Sequence, residues 1–408
     1  MTNLGLLPSS LAFLLAVLGT SCGSDPATQA APPVGNEAGA DVSDVSDASD
    51  VSDAPMTEVA TDGSPDTATD AGTDVAVESD ANGDGPVDVL VDSAQEDVPP
   101  GPPARPAGLT VYEVGNPADS EVDPSGPALL LMGGGPDVDA AFAWWRQYLQ
   151  GGDVVVLRTS GGDGYNDYLF DEIGGCDSVE TLLVTTKALA DDPYVAFTVA
   201  HAEGIFLSGG DQATYLEAWK GTALQDAVHT AWARGAVVGG TSAGCAVLGE
   251  FAFAAYHDTV YSDEALADPY NSYMTMERGF LSLPLAGGVV TDTHFGERDR
   301  MGRLVAFLAR IEQDGWGDPV TGMGVDENTA LVVAPDGMGT VLGSGHVYVV
   351  KSHGVPQQCV AGEPLTYGGL FYHRLSAGDS IHTGTLQTSV PAVPLSVDQG
   401  QLVPSNPY

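Results

Sequence analysis

The sequence predicts an α/β fold, built on a mostly parallel, doubly wound sheet with helices on both faces and with β-hairpins towards the C-terminus. The first observation is a set of short apolar runs: ALLLM at 128–132, VVVL at 154–157, TLLVTT at 181–186, GIFLS at 204–208 and AVVGG at 236–240. Strands buried on both faces of a parallel sheet have continuous rather than alternating apolar sequences. Each run therefore predicts a strand of the sheet.

The second observation is that amphipathic segments separate some of these runs. Residues 138–150 and 213–235 have apolar side chains that recur at intervals of three and four, the spacing that places them on one face of a helix. Alternation of strands with such helices is typical of a parallel sheet covered on both faces. The later apolar runs, GVVTDTHF, GMGVDENTALVV, GTVLG and HVYVV, are closer together and predict the hairpins.

A disordered acidic linker is predicted for residues 23–105, ahead of a folded domain at 106–408. The segment repeats Asp, Val and Ser, has almost no aromatic residues, and contains no Lys or Arg before Arg105. Such a chain cannot bury enough apolar surface to fold. The formal net charge of the whole protein is −43, which argues against nucleic acid as a partner because phosphate contacts need clustered Lys and Arg.

Residues 1–22 have the features of an export signal. The apolar run from Leu4 to Leu18 is too short to span a bilayer and has the length of a signal-peptide core. Small residues then lead to Cys22, as in the bacterial lipoprotein signals that this segment resembles. We therefore expect lipidation at Cys22 and a membrane-anchored protein of the periplasm or cell surface. Secretion without a lipid and a cytosolic start are the alternatives.

Three further cysteines, Cys176, Cys245 and Cys359, are compatible with one disulfide and one buried thiol. The sequence does not decide whether Cys176 pairs with Cys359. Cys245 is expected to face the core as a small apolar side chain.

A candidate nucleophile, Ser242, lies in the segment GGTSAG between a predicted strand and a predicted helix. Glycines on both sides permit the strained turn of a nucleophile elbow, and the amide of Ala243 can face a developing oxyanion. A structural turn is the alternative interpretation, because short patterns of this kind occur by chance.

A serine nucleophile needs a base, and His294 is the best of the eight histidines because it closes the apolar run GVVTDTH. Doubly wound folds place their sites where strands end. Glu327 ends a second apolar run and can orient and charge-stabilise the imidazole. The order Ser, His, Glu argues against an α/β-hydrolase, in which the acid precedes the histidine.

Five blocks together resemble the cyanophycinase and dipeptidase E group of serine peptidases: LLMGGGPDVD, IFLSGGDQATYL, GGTSAG, DTHFGERDRMGRL and GMGVDENTALVV. The resemblance implies a class I glutamine-amidotransferase-like fold and a catalytic triad of Ser242, His294 and Glu327. It also implies an oxyanion hole formed by the amides of Gly210 and Ala243. By the same matching, the substrate-binding residues are Gln212, Asp292, Thr293, Arg298 and Arg303, with Thr293 standing where glutamine is usual.

The function implied by this resemblance is an exported serine exopeptidase that cleaves the aspartyl backbone of cyanophycin and releases β-aspartyl-arginine. Arginines after the base suit carboxylate recognition. Cyanophycin joins an arginine to each β-carboxyl group of a polyaspartate chain, so it presents carboxylates that these arginines could bind. A related peptidase for other aspartyl peptides and a non-catalytic binding lipoprotein remain the alternatives. The resemblance implies no cofactor or metal and leaves a homodimer open.

Overall fold

Two β-sheets form the framework of residues 101–408, the part of the chain that this computed structural model describes. The predicted signal at 1–22 with Cys22, and residues 23–100 of the predicted linker, lie outside the described residues. The strands are β1 Thr110–Gly115, β2 Ala128–Met132, β3 Asp153–Arg158, β4 Ser178–Leu183, β5 Gly204–Leu207, β6 Val237–Thr241, β7 Phe251–Phe253, β8 Met276–Arg278, β9 Val289–Asp292, β10 Thr321–Val325, β11 Thr329–Val333, β12 Met338–Gly343, β13 His346–Lys351, β14 Tyr367–Ser376, β15 Ser380–His382, β16 Val393–Asp398 and β17 Gln401–Val403.

Helices connect and cover these strands. Among the described residues, none of them is both long and apolar enough to cross a bilayer. The helices are α1 Asp139–Trp145, α2 Lys187–Ala190, α3 Pro193–His201, α4 Gln212–Trp219, α5 Ala223–Arg234, α6 Ala243–Ala246, α7 Ser262–Ala267 and α8 Met301–Gln313.

The first sheet has nine strands in the order β1-β4-β3-β5-β6-β2-β11-β12-β15. Its centre, from β4 to β2, is parallel, and the strands on either side are antiparallel. Side chains of β2 show how both faces are covered: Leu129 and Leu131 join the core beneath α3 to α5, whereas Leu130 packs with Phe142 of α1 on the other face. The predicted α/β class is confirmed.

One predicted helical segment is divided in the structure. Residues 213–235 form α4 and α5, which are separated by a turn at Gly221 with φ of +74°. Lys220 ends α4 in an extended conformation, Gly221 follows with its positive φ, and Thr222 starts the second helix from an extended conformation. The apolar periodicity continues through the turn because both helices pack on the same face of the sheet.

The C-terminal strands form more than the predicted hairpins. They build a second sheet of eight strands in the order β17-β16-β14-β13-β10-β9-β7-β8, with parallel pairing between β9 and its neighbours β7 and β10. Helix α8 covers this sheet with a separate core that includes Leu304 and Phe307. The strand that leads to His294 is β9 of this second sheet.

The cysteines of residues 101–408 are all free thiols, and Cys245 is fully buried in the core as expected. Cys176 and Cys359 therefore form no disulfide with each other in this structure.

Candidate active site

Ser242 lies in a tight turn between the buried strand β6 and the short helix α6. Its backbone has φ of +49° and ψ of −118°, a conformation that non-glycine residues rarely adopt and that is typical of a nucleophile elbow. The neighbouring glycines are required by close packing: a Cβ on Gly240 would lie 2.7 Å from the carbonyl carbon of Gly244, and one on Gly244 would lie 2.7 Å from the Ser208 carbonyl oxygen.

His294 follows β9 of the second sheet and reaches across to Ser242. The Ser242 Oγ and His294 Nε2 atoms are 2.8 Å apart. The backbone of His294 also has a positive φ, of +46°, and its N–H donates to the Gly133 carbonyl at 2.8 Å. The histidine is 7% exposed, so the imidazole is enclosed by protein on most sides.

Glu327 lies in the three-residue connection from β10 of the second sheet to β11 of the first. Its Oε1 atom is 2.6 Å from His294 Nδ1. The carboxylate therefore accepts the Nδ1 proton and leaves Nε2 free to take a proton from Ser242. The structure brings the three predicted catalytic side chains into one hydrogen-bonded relay.

The run Gly133–Gly135 packs against the His294 and Glu327 side chains, a role that the sequence analysis did not assign to these glycines. A Cβ on Gly134 would lie 2.5 Å from His294 Nε2, and one on Gly135 would lie 3.1 Å from Glu327 Cβ. The Gly134 carbonyl accepts the Asn328 N–H at 3.0 Å. Three successive glycines in a loop after a buried strand are the sequence signal for such a close approach.

Burial lowers the pKa of His294, and the positive charges of Arg298 and Arg300 lower it further. The hydrogen bond and charge of Glu327 act in the opposite direction without reversing the shift. The imidazole is therefore neutral at neutral pH, which is the state that a general base requires.

The predicted oxyanion-hole residues flank the nucleophile. Ala243 is the first residue of α6, and Gly210 lies in the loop that follows β5, the neighbour of β6. A Cβ on Gly209 would lie 3.6 Å from Ser242 Cβ, so this loop passes beside the serine. Hydrogen bonds from the Tyr215 hydroxyl to the carbonyls of Ser208 and Gly209, each at 3.0 Å, fix its course.

Asp292 and Arg303 do not line an open pocket as two separate contacts. They form a buried ion pair, with Arg303 Nε 2.8 Å from Asp292 Oδ2 and Nη2 2.5 Å from Oδ1. Arg303 Nη1 also donates to Thr259 Oγ1 and to the Val260 carbonyl. Both residues are buried, with Asp292 2% and Arg303 3% exposed, and the pair supports the segment before His294.

The other predicted substrate-binding residues surround this support. Thr293 is buried, and its carbonyl accepts a hydrogen bond of 2.7 Å from Arg300 Nη1. Arg298 is exposed on the loop after His294, and Gln212 is half-buried at the start of α4. The structure thus leaves Arg298 exposed and Gln212 half-buried, and it places Thr293 beneath the surface.

Within residues 101–408, no three or more His, Cys, Asp or Glu side chains are arranged to hold a metal ion. The side chains gathered at Ser242 are those of acyl transfer: a hydroxyl, an imidazole that can accept its proton, and a carboxylate.

The chain is similar to known peptidases. The model of peptidase family S51 matches residues 166–341, which include Ser242, His294 and Glu327. The cyanophycinase of Trichormus variabilis is 31% identical over 230 residues, covering 55% of this chain and 71% of that protein. The chain belongs to peptidase family S51. The predicted resemblance to the cyanophycinase group is therefore confirmed, and this S51 chain is a serine-type peptidase.

Other relatives of this S51 peptidase are similar to it over the same extent. The cyanophycinase of Thermosynechococcus vestitus is 34% identical over 228 residues, or 55% of this chain and 65% of that protein. That of Geminocystis herdmanii is 29% identical over 231 residues, or 55% and 78%. Among solved structures, a peptidase from an acI-B1 Actinobacterium is 20% identical and superposes with a TM-score of 0.44, covering 64% of this chain and 98% of that one.

Proposed function

We propose that this S51 peptidase is an exported, cyanophycinase-like serine hydrolase that cleaves the aspartyl backbone of cyanophycin and releases β-aspartyl-arginine. The relay of 2.8 Å and 2.6 Å through Ser242, His294 and Glu327 is the observation that carries this proposal. The substrate is suggested by relatives that are named cyanophycinases.

The reaction begins when His294 Nε2 accepts the Ser242 proton and Oγ attacks the backbone carbonyl carbon of an aspartyl residue. Glu327 stabilises the imidazolium that forms, and the amides of Gly210 and Ala243 donate to the tetrahedral oxyanion. The imidazolium then gives its proton to the departing amine, which breaks the peptide bond and leaves an acyl-enzyme. A water molecule, deprotonated by the same imidazole, hydrolyses that ester and restores Ser242.

The exposed guanidinium of Arg298 lies four residues after the base, where it can bind a carboxylate of the substrate. Arg303 is engaged by Asp292, which leaves fewer groups for the carboxylates of cyanophycin. That pairing favours a second candidate function, hydrolysis of other aspartyl peptides by the same relay.

Incubation of the full-length protein with purified cyanophycin, and separately with α-aspartyl peptides, tests both functions when products are identified by mass. We expect β-aspartyl-arginine from cyanophycin. Cleavage of the α-aspartyl peptides alone would favour the second function. Failure to cleave either substrate would contradict both and would favour a binding protein.

Export and lipidation at Cys22 complete the proposal and rest on residues 1–22 of the sequence. Labelled palmitate supplied to cells that produce the protein should appear in the wild type and be absent from Cys22→Ala. Equal labelling of the two proteins would contradict the anchor.

A further inference from the structure

Two loops that carry the proposed base and its carboxylate are joined by a reciprocal pair of hydrogen bonds. The Gly296 N–H donates to Asp326 Oδ1 at 2.8 Å, and the Glu327 N–H donates to Glu297 Oε2 at 3.2 Å. Each loop thus supplies one carboxylate to the other loop's backbone. A direct backbone bond of 3.2 Å from the Phe295 N–H to the Val325 carbonyl continues this pairing towards the sheet.

Asp326 is the more deeply placed of the two carboxylates, at 5% exposure. Its second oxygen, Oδ2, accepts the His346 N–H at 2.9 Å and so fixes the start of β13 as well. The surrounding backbone leaves no room for side chains: a Cβ on Gly296 would lie 3.0 Å from Asp326 Oδ1, and one on Gly345 would lie 2.7 Å from Asp326 Cβ.

The position of these bonds relative to the relay is what gives them a function. Gly296 is two residues after His294, and Asp326 is one residue before Glu327. The 2.6 Å contact between His294 and Glu327 joins the same two loops. Without the paired carboxylates, the separation of imidazole and carboxylate would depend on that contact, on the glycine loop and on the Phe295–Val325 backbone bond nearer the sheet.

We propose that Asp326 and Glu297 are positioning residues that hold the His294 and Glu327 loops in catalytic register. The inference deepens the proposed function and rests on its Ser-His-Glu chemistry. Neither carboxylate is required to touch the substrate. Their effect is therefore expected on kcat, while KM stays close to its wild-type value.

Substitutions that separate hydrogen bonding from charge test the proposal in the full-length protein. Glu297→Ala removes the acceptor for the Glu327 N–H, whereas Glu297→Gln keeps an acceptor and removes only the charge. Asp326→Asn keeps one acceptor and loses the other. Asp336→Asn is the matched control. Asp336 is also an exposed carboxylate, and the hydrogen bond that it accepts within residues 101–408 comes from the Met338 N–H of its own turn.

We expect kcat to fall about 10-fold in Glu297→Ala and about 10- to 100-fold in Asp326→Asn, because displacements near 1 Å in a catalytic group cost up to about 10²-fold. Glu297→Gln should stay within about twofold of the wild type, and Asp336→Asn should match it. A kcat that Glu297→Ala and Asp326→Asn leave unchanged, or a loss confined to KM, would overturn the proposal.

A second measurement does not depend on turnover. The Nδ1 proton shared by His294 and Glu327 should give a low-field proton NMR resonance that weakens in Glu297→Ala and Asp326→Asn and returns in Glu297→Gln. If the wild type cleaves no substrate, the proposed function fails while this resonance still decides the positioning role. A resonance that neither substitution alters would reject that role.

Discussion

Ser242 and His294, whose side-chain atoms approach to 2.8 Å, belong to different sheets. Ser242 follows β6 in the nine-stranded sheet, and His294 follows β9 in the eight-stranded sheet. The relay therefore spans the boundary between the two sheets, and any change that moves one sheet edge relative to the other acts directly on the proposed chemistry.

Replacement of the nucleophile gives the first prediction. Ser242→Ala should abolish hydrolysis, because the remaining groups supply no covalent nucleophile. The substitution removes one oxygen from a partly exposed position, so the thermal midpoint of unfolding should stay within a few degrees of the wild type, a shift of about 1 kcal/mol or less. A variant that retained a large share of the activity would contradict the assignment of Ser242.

The pH dependence of kcat/KM gives the second prediction. Only the neutral imidazole is a base, and burial lowers the pKa of His294. The acidic limb of the profile should therefore lie below the usual histidine pKa of about 6.5. Arg300→Gln removes one of the nearby positive charges and should move that limb to higher pH, whereas Arg300→Lys should leave it near its wild-type position. An identical shift in both variants would argue against the charge as the cause.

Stability gives the third prediction, through the buried pair of Asp292 and Arg303. Arg303→Met removes the bidentate partner of a buried carboxylate, which is left with the more distant Arg300 Nη1 at 3.6 Å, and should reduce the free energy of unfolding by about 3–5 kcal/mol at neutral pH. Replacing both residues, as Asp292→Leu with Arg303→Met, should recover part of that loss, since Arg300 then loses its own contact with Asp292. Chemical denaturation of the three proteins measures these differences.

The loss in Arg303→Met should also depend on pH. Burial alone would raise the pKa of Asp292, but the charge and hydrogen bonds of Arg303, together with the charge of Arg300 and the Thr293 N–H, outweigh it and lower that pKa in the wild type. The pair's contribution is therefore present above the unfolded-state value of about 3.9 and is lost as the pH falls through the lower folded value. Without Arg303, protonation relieves the buried charge, so the difference between variant and wild type should shrink in acid. A difference independent of pH would contradict this account.

The glycine loop gives the fourth prediction. Gly134→Ala should lower kcat by about 10²-fold, because its methyl group would occupy the space of the His294 ring and displace it. Gly151→Ala is a matched control, since Gly151 also has a positive φ, of +80°, but a Cβ there meets nothing within 4 Å. Both variants carry backbone strain, and only Gly134→Ala should lose activity. Equal losses in the two proteins would assign the effect to strain.

Single strands and tight turns could be predicted from the sequence, because burial of neighbouring side chains and the backbone freedom of glycine determine them. The run ALLLM gives β2 with its observed bounds because all five side chains are buried. The turn at Ser242 follows from glycines within two residues on either side. The His294 and Glu327 side chains were identified from their positions at the ends of apolar runs, and the structure brings them into contact.

Features that depend on distant parts of the chain could not be predicted in the same way. The second sheet orders β10 beside both β9 and β13, a pairing that short apolar runs do not encode. The ion pair of Asp292 and Arg303 depends on α8 returning beneath β9. Sequence alone shows two charged residues beside a site, and charged residues near a site look the same whether they bind a substrate or each other.

The connection that carries Glu327 is only three residues long, from the end of β10 to the start of β11. Because this connection is so short, a shift of one sheet against the other by a single residue would move the Glu327 carboxylate out of reach of the His294 imidazole. The seam between the sheets must therefore stay rigid for the enzyme to work.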